Sequence, residues 1–196
     1  MEFNGEFTLE GVTTEEVWLA LSDPVMIENA LPGCKFLMRV EGEPDFDELE
    51  AEATDENPPT LPDADPEVVA ERAFVEGGKY ATLIQLSVGS VNPRFETVVT
   101  IDRRDFPEMD ASAEGSASNS SFEMESGMTL VETDDGATVE WWAETDVFGR
   151  VAQLGQRVIN PVAKRVINRF FNRIEDQLSD VSDESSGLRD RIRGLI

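Results

Sequence analysis

Apolar and polar residues alternate strictly along EFNGEFTLEG near the start of the chain. Phe3, Gly5, Phe7 and Leu9 fall on one side, and Glu2, Asn4, Glu6, Thr8 and Glu10 on the other. A period of two predicts a half-buried strand. The period then changes. TTEEVWLALSD offers a threonine N-cap, acids in the first turn and Val17, Trp18 and Leu21 at helical spacing, so a short helix follows. DPVMIENALPG repeats the arrangement, with Pro24 in the first turn and Pro32-Gly33 as its stop. CKFLMRV reads as a second strand, and VVAERAFVEGGKYATLIQLSVG as two strands around the turn Glu76-Gly77-Gly78. RFETVVTIDRR, EMDASAEGSAS, SFEMESGMTLVET and ATVEWWAETDVF supply three or four more, the last two separated by Asp134-Asp135-Gly136. The expectation is an antiparallel meander of about seven strands.

The last long segment returns to a helical period. Apolar or small residues at 151, 155, 158, 162, 166, 170 and 174, widened by Ile159, Ala163, Ile167 and Phe171, make one broad stripe. A helix from Arg150 to Leu178 would be about 43 Å long and could lie across a whole curved sheet. Pro161 removes the amide that would bond the Arg157 carbonyl, so a bend is expected there. The fold class is therefore α+β: a curved antiparallel sheet wrapped around a long C-terminal helix, with two short helices after the first strand.

Two stretches fall outside this scheme. Residues 41–67 hold twelve acids, no base and five of the ten prolines, and read as a solvated insert whose deletion the domain would tolerate. Their acids lack the Asp-x-Asp-x-Asp-Gly spacing of a calcium loop. The domain spans 1–178, and 179–196 form a polar spacer and a short basic amphipathic tail. In that tail Leu188, Ile192 and Leu195 lie at i, i+4 and i+7, with Arg189, Arg191 and Arg193 around them. It has three destinations open to it: its own domain, a partner protein or a membrane interface.

Composition narrows the chemistry. The chain has 196 residues and a formal charge of -25, from 41 acids against 16 Lys and Arg, with three lysines to thirteen arginines. Such a surface suits solubility in concentrated salt, where self-repulsion is screened over about 3 Å at 1 M. It makes nucleic acid an improbable partner. There is no histidine and one cysteine, which removes His-dependent triads, the commonest metal ligand and any thiolate cluster, and excludes an internal disulfide. Cys34 reads as a small buried thiol. A lone cysteine, a start without a basic-then-apolar leader and the lack of an 18-residue apolar run all point to a cytoplasmic protein, peripheral on the membrane at most. Against this acidity, residues 149–173 carry six bases and no acid. Their outer face must act by contact, either in ion pairs with neighbouring acids or with an acidic partner or lipid head groups.

The order of elements resembles the helix-grip fold of the START and Bet v 1-like (SRPBCC) superfamily. Three stretches, DPVMIENALPGC (23–34), YATLIQLSVGSVNPRF (80–95) and GRVAQLGQRVI (149–159), are similar to the CoxG family of carbon monoxide dehydrogenase subunits. That resemblance implies a protein accompanying a molybdenum hydroxylase, with roles in its membrane association and in handling an apolar ligand.

A curved sheet around one helix encloses more volume than its side chains fill. Inward alternation and the helix stripe select Phe95, Ile101, Trp141, Val158, Val162, Val166 and Phe170 as the lining of a ligand cavity. Tyr80, the only tyrosine, is a candidate donor to a ligand carbonyl. Leu188, Arg189, Ile192, Arg193 and Leu195 are candidate membrane or partner contacts. No catalytic residue, metal ligand or required cofactor is assigned; a bound quinone or lipid is the expected guest. Three function classes remain: a carrier of an apolar ligand linked to a molybdenum hydroxylase, an adaptor without ligand, and an enzyme of the cyclase or hydrolase kind.

Overall fold

The computed structural model describes residues 1–53, 58–179 and 186–196. Its strands are β1 (Glu2–Glu10), β2 (Cys34–Val40), β3 (Lys79–Gln85), β4 (Arg94–Asp105), β5 (Glu108–Ala117), β6 (Ser120–Glu132) and β7 (Gly136–Gly149). All pair antiparallel in the order β1-β7-β6-β5-β4-β3-β2. Helices α1 (Thr14–Leu21) and α2 (Pro24–Ala30) connect the two edge strands. The expected helix-grip architecture is the observed one.

Local chemistry accounts for the first helices. Thr13 and Glu16 form a capping box at α1, each side chain bonded to the other's backbone amide. Asp23 caps α2 by accepting from the Val25 amide, with Pro24 in the first turn.

The long helix α5 runs from Gln156 to Ser179, continuous through Pro161, about 36 Å at 1.5 Å per residue. It starts six residues later than the stripe suggested. Gly155 has φ +74°, a left-handed conformation that no helix interior holds, and it separates α5 from a 3-10 turn at Ala152–Leu154. Phe171, Ile174 and Leu178 anchor the C-terminal half of α5 in the main core, beside Val17, Trp18, Met26 and Leu130.

Three other expectations are corrected. VVAER is helix, not strand: Asp65 caps α4 (Pro66–Arg72) through the Glu67 amide, and Pro66 opens the first turn. The acidic insert is not a free solvated loop. Its helix α3 (Phe46–Glu52) lays Phe46 and Leu49 on Phe36, Ala81 and Leu83 behind β2 and β3, while Leu61 (1% exposed) and Ala64 enter the main core. Arg72 then holds Asp23, whose side chain is fully buried, through two hydrogen bonds of 2.8 and 2.6 Å. Within the insert, residues 54–57 lie outside the described residues.

The tail also folds back. Its helix α6 (Ser186–Arg193) buries Ile192 completely in the main core. Arg189 donates to Glu16 Oε1 at 3.1 Å and to the Gly11 carbonyl, Arg191 binds Asp65 and Glu67, and Arg193 lies 3.7 Å from Glu15. Ile192, Arg189 and Arg193 are thus committed to their own domain rather than free for a membrane or partner, although Leu195 and Ile196 remain exposed. The Leu188 side chain and the spacer 180–185 lie outside the described residues.

Candidate functional site

The concave face of the sheet is bare at its centre. Along β5 small residues turn inward, and of them Ala111 lines the space together with its cross-strand neighbours Ser126 and Ala143, whereas the Phe122 ring lies over Gly115. α5, held at its two ends, cannot collapse onto this strip. Between them lies a void of about 550 Å³, in the range of small-molecule sites.

Six residues singled out from the sequence line it: Phe95, Ile101, Trp141, Val162, Val166 and Phe170. Val158 does not. It belongs to the cluster of Val88, Phe95 and Val151 at the start of α5, where its Cγ1 would stand 3.1 Å from a Cβ on Gly89. Tyr80 does not line the cavity either. Its ring stands edge-on to Phe74 at 4.7 Å and its hydroxyl accepts from the Val75 amide at 3.0 Å, so it serves the core. Leu188, Arg189, Ile192, Arg193 and Leu195 belong to α6 and the end of the chain, away from this lining.

Sequence reasoning missed other walls. Val99, Ala111 and Met128 share the inward alternation of their strands and could have been found by it. Ile27, Leu31 and Phe74 could not, because docking of α2 and of the segment after α4 brings them to the cavity.

The end of the cavity nearest β1 is aromatic. Trp141 faces Phe171 at 6.1 Å, Phe171 stacks on Phe7 at 4.9 Å, and Phe170 stands edge-on to Phe171 at 5.2 Å. The opposite end mixes aliphatic Ile84, Leu86, Val88 and Val151 with Phe95 and Phe122, whose rings stand edge-on at 5.2 Å. Among the described residues no lining side chain is ionisable. The two hydroxyls in the wall are already engaged: Ser126 donates to the Ala111 carbonyl and Thr145 to that of Glu123. The Trp141 indole N–H bonds to no described residue and is left as a donor. Cys34 lies outside the lining, and burial, with Glu28 nearby, pushes its thiol up to about 11, far from a thiolate at neutral pH.

The charges sit outside. On the convex face acids stand directly opposite one another across strands: Glu2 and Glu125 both face Glu144, and Glu114 and Asp146 both face Glu123. On α5, Arg157, Lys164, Arg165 and Arg169 are exposed and, among the described residues, form no ion pair. Among the described residues, then, these four cations are not paired with the protein's own acids.

Residues 71–179 match the model of the CoxG family, described as a carbon monoxide dehydrogenase subunit. No curated protein matches the chain. Among solved structures it is similar to a conserved protein from Geobacillus kaustophilus, with TM-score 0.68 and 22% identity over 92% of this chain and 96% of that one. It is also similar to the Zhui aromatase/cyclase from Streptomyces sp. R1128 (TM-score 0.56, 11% identity, 95% and 98% covered). A third similar structure is Ara h 8.0201 (TM-score 0.55, 14% identity, 92% and 98% covered). At these identities the likeness is one of fold.

Proposed function

The chain belongs to the CoxG family of carbon monoxide dehydrogenase subunits, and from that premise we propose that it is a non-catalytic carrier for a neutral, apolar small molecule. The observation that carries this reading is the void of about 550 Å³ walled by apolar side chains with no ionisable group among them. A general acid or base must reach the reacting atoms, and this wall supplies none. An ion taken into it would lose its hydration without gaining a partner. An isoprenoid quinone fits the chemistry: a flat ring to lie among Trp141, Phe170 and Phe171, a carbonyl to accept from the Trp141 indole, and an aliphatic chain for the end at Leu86 and Val151. The family's name supplies the context, an accessory role beside a carbon monoxide dehydrogenase-type molybdenum hydroxylase. No described helix is long and apolar enough to cross a membrane, so membrane association in this reading is peripheral.

Native mass spectrometry of protein purified without detergent tests the carrier role. The expected result is a co-purified neutral lipid or quinone that is absent from Ala111→Phe, a variant that fills the void while leaving the outer surface untouched. A folded protein that carries nothing, and takes up no added quinone, would sink the proposal.

A further inference from the structure

We infer that one flank of α5, marked by Arg165 and Arg169, is the surface this protein lays on an anionic lipid bilayer. The inference deepens the carrier reading and rests on it for its purpose. Its geometry is a double row. Val162, Val166 and Phe170 line the cavity, and Arg165, Arg169 and Arg173 each lie three residues further along the same helix. Spacings of three and four place the two rows side by side along the helix. The cations therefore border the cavity-lining stripe instead of occupying the opposite side of the helix.

The arginines lack the partners that such a protein offers in abundance. In a chain with 41 acids, Arg165 and Arg169 are exposed and form no ion pair among the described residues. By contrast, the α6 arginines Arg189, Arg191 and Arg193 all find acids. Arg173 donates to the Asn29 and Ala30 carbonyls at the end of α2, which fixes one end of the row. Arg157 and Lys164 extend the positive field toward the start of the helix, and no acid interrupts residues 149–173.

The acids of the convex face repel a negative bilayer, whereas this flank attracts one. Phosphates of the head groups would lie on Arg165 and Arg169. The cavity that Val162 and Val166 line would then lie beside the lipid from which an apolar guest must come. In the tail Ile192 is buried and Arg189, Arg191 and Arg193 are already paired with acids, so its cations are not free for this part.

The test is vesicle co-sedimentation of the full chain with phosphatidylcholine vesicles, with and without phosphatidylglycerol. Wild type is expected to bind only the vesicles containing phosphatidylglycerol. A cation at the surface is worth about fivefold, so Arg165→Gln/Arg169→Gln should bind about 25-fold more weakly. Lys35→Gln/Arg39→Gln, which removes the same charge from β2, should bind within about twofold of wild type. Equal loss in both variants, or binding indifferent to phosphatidylglycerol, would overturn the inference. Binding of a one-isoprene ubiquinone in vesicle-free solution should be unchanged in Arg165→Gln/Arg169→Gln. A parallel fall would show damage to the cavity and count against a docking role. If wild type itself takes up no quinone, the carrier reading fails while the vesicle comparison still decides the docking surface.

Discussion

The Trp141 indole lies across Gly5, its partner on β1, so closely that a Cβ on Gly5 would stand 3.0 Å from the ring. The bare glycine lets the indole lie back against the sheet, and the space in front of it remains part of the cavity. A side chain there would push the ring inward. Gly5→Val should therefore weaken uptake of an apolar fluorescent probe at least about tenfold and cost about 1–3 kcal/mol of stability through overpacking. Probe titration and chemical denaturation measure the two effects. Unchanged uptake would mean that Trp141 does not set the cavity's width.

The insert behaves as part of the domain in a way that its composition conceals. Leu61→Ala should cost about 2–5 kcal/mol, the range for a buried leucine. Arg72→Ala should be comparably costly, because it strands the fully buried Asp23 carboxylate. Deletion of residues 43–65 is then expected to lower the thermal midpoint sharply. A deletion variant as stable as wild type would show that the packing of Leu61 contributes nothing.

Facing acids on the convex side make stability depend on salt. Glu144 stands between Glu2 and Glu125, and like charges directly opposite one another are unfavourable by about 0.2–1 kcal/mol a pair. Glu144→Gln should stabilise the protein at low ionic strength, and the gain should shrink in 1 M salt as screening shortens to about 3 Å. Urea titrations at the two salt concentrations give the comparison. A gain that persists unchanged in salt would point to packing instead of charge.

Cys34 reports on pH. Burial raises its thiol from about 9 in the open chain to about 11 in the fold, so the folded state holds the proton more tightly. Below pH 9 both states keep that proton and the group does not affect stability. Between about pH 9 and 11 the unfolded chain loses it first, and stability falls by about 1–3 kcal/mol. Cys34→Ala should lack this component, so the difference between the two stability curves isolates it. Alkylation of the native thiol at pH 8 should also be slow, and fast once the chain unfolds. Rapid native alkylation would refute the burial argument.

Much of the architecture lies in periodicities that operate over a few residues. Strict alternation determines which side of β1 faces inward, and the helical stripe does the same for α5, because a side chain's direction follows from its backbone period alone. The seven strands, the two early helices and the inward placement of Phe95, Ile101 and Trp141 follow from that local geometry. So does the lack of bulk on β5, since Ala111, Ala113 and Gly115 carry it in their identity.

Other features depended on partners distant in sequence. Val158 shares the stripe of Val162, yet the loop at Gly89 claims it, and no period within α5 announces that loop. Tyr80 turned to the Val75 amide because a buried hydroxyl takes the first acceptor or donor within reach, and that neighbour was set by the turn at Gly77. Composition marked the insert as solvated, but a single leucine entering the core outweighs many exposed acids, which lose nothing by staying in water. In the tail, the same arginines that suit a lipid surface suit Glu16, Asp65 and Glu67. A sequence states what a side chain can bind; only the tertiary arrangement decides which of its possible partners stands within hydrogen-bonding reach.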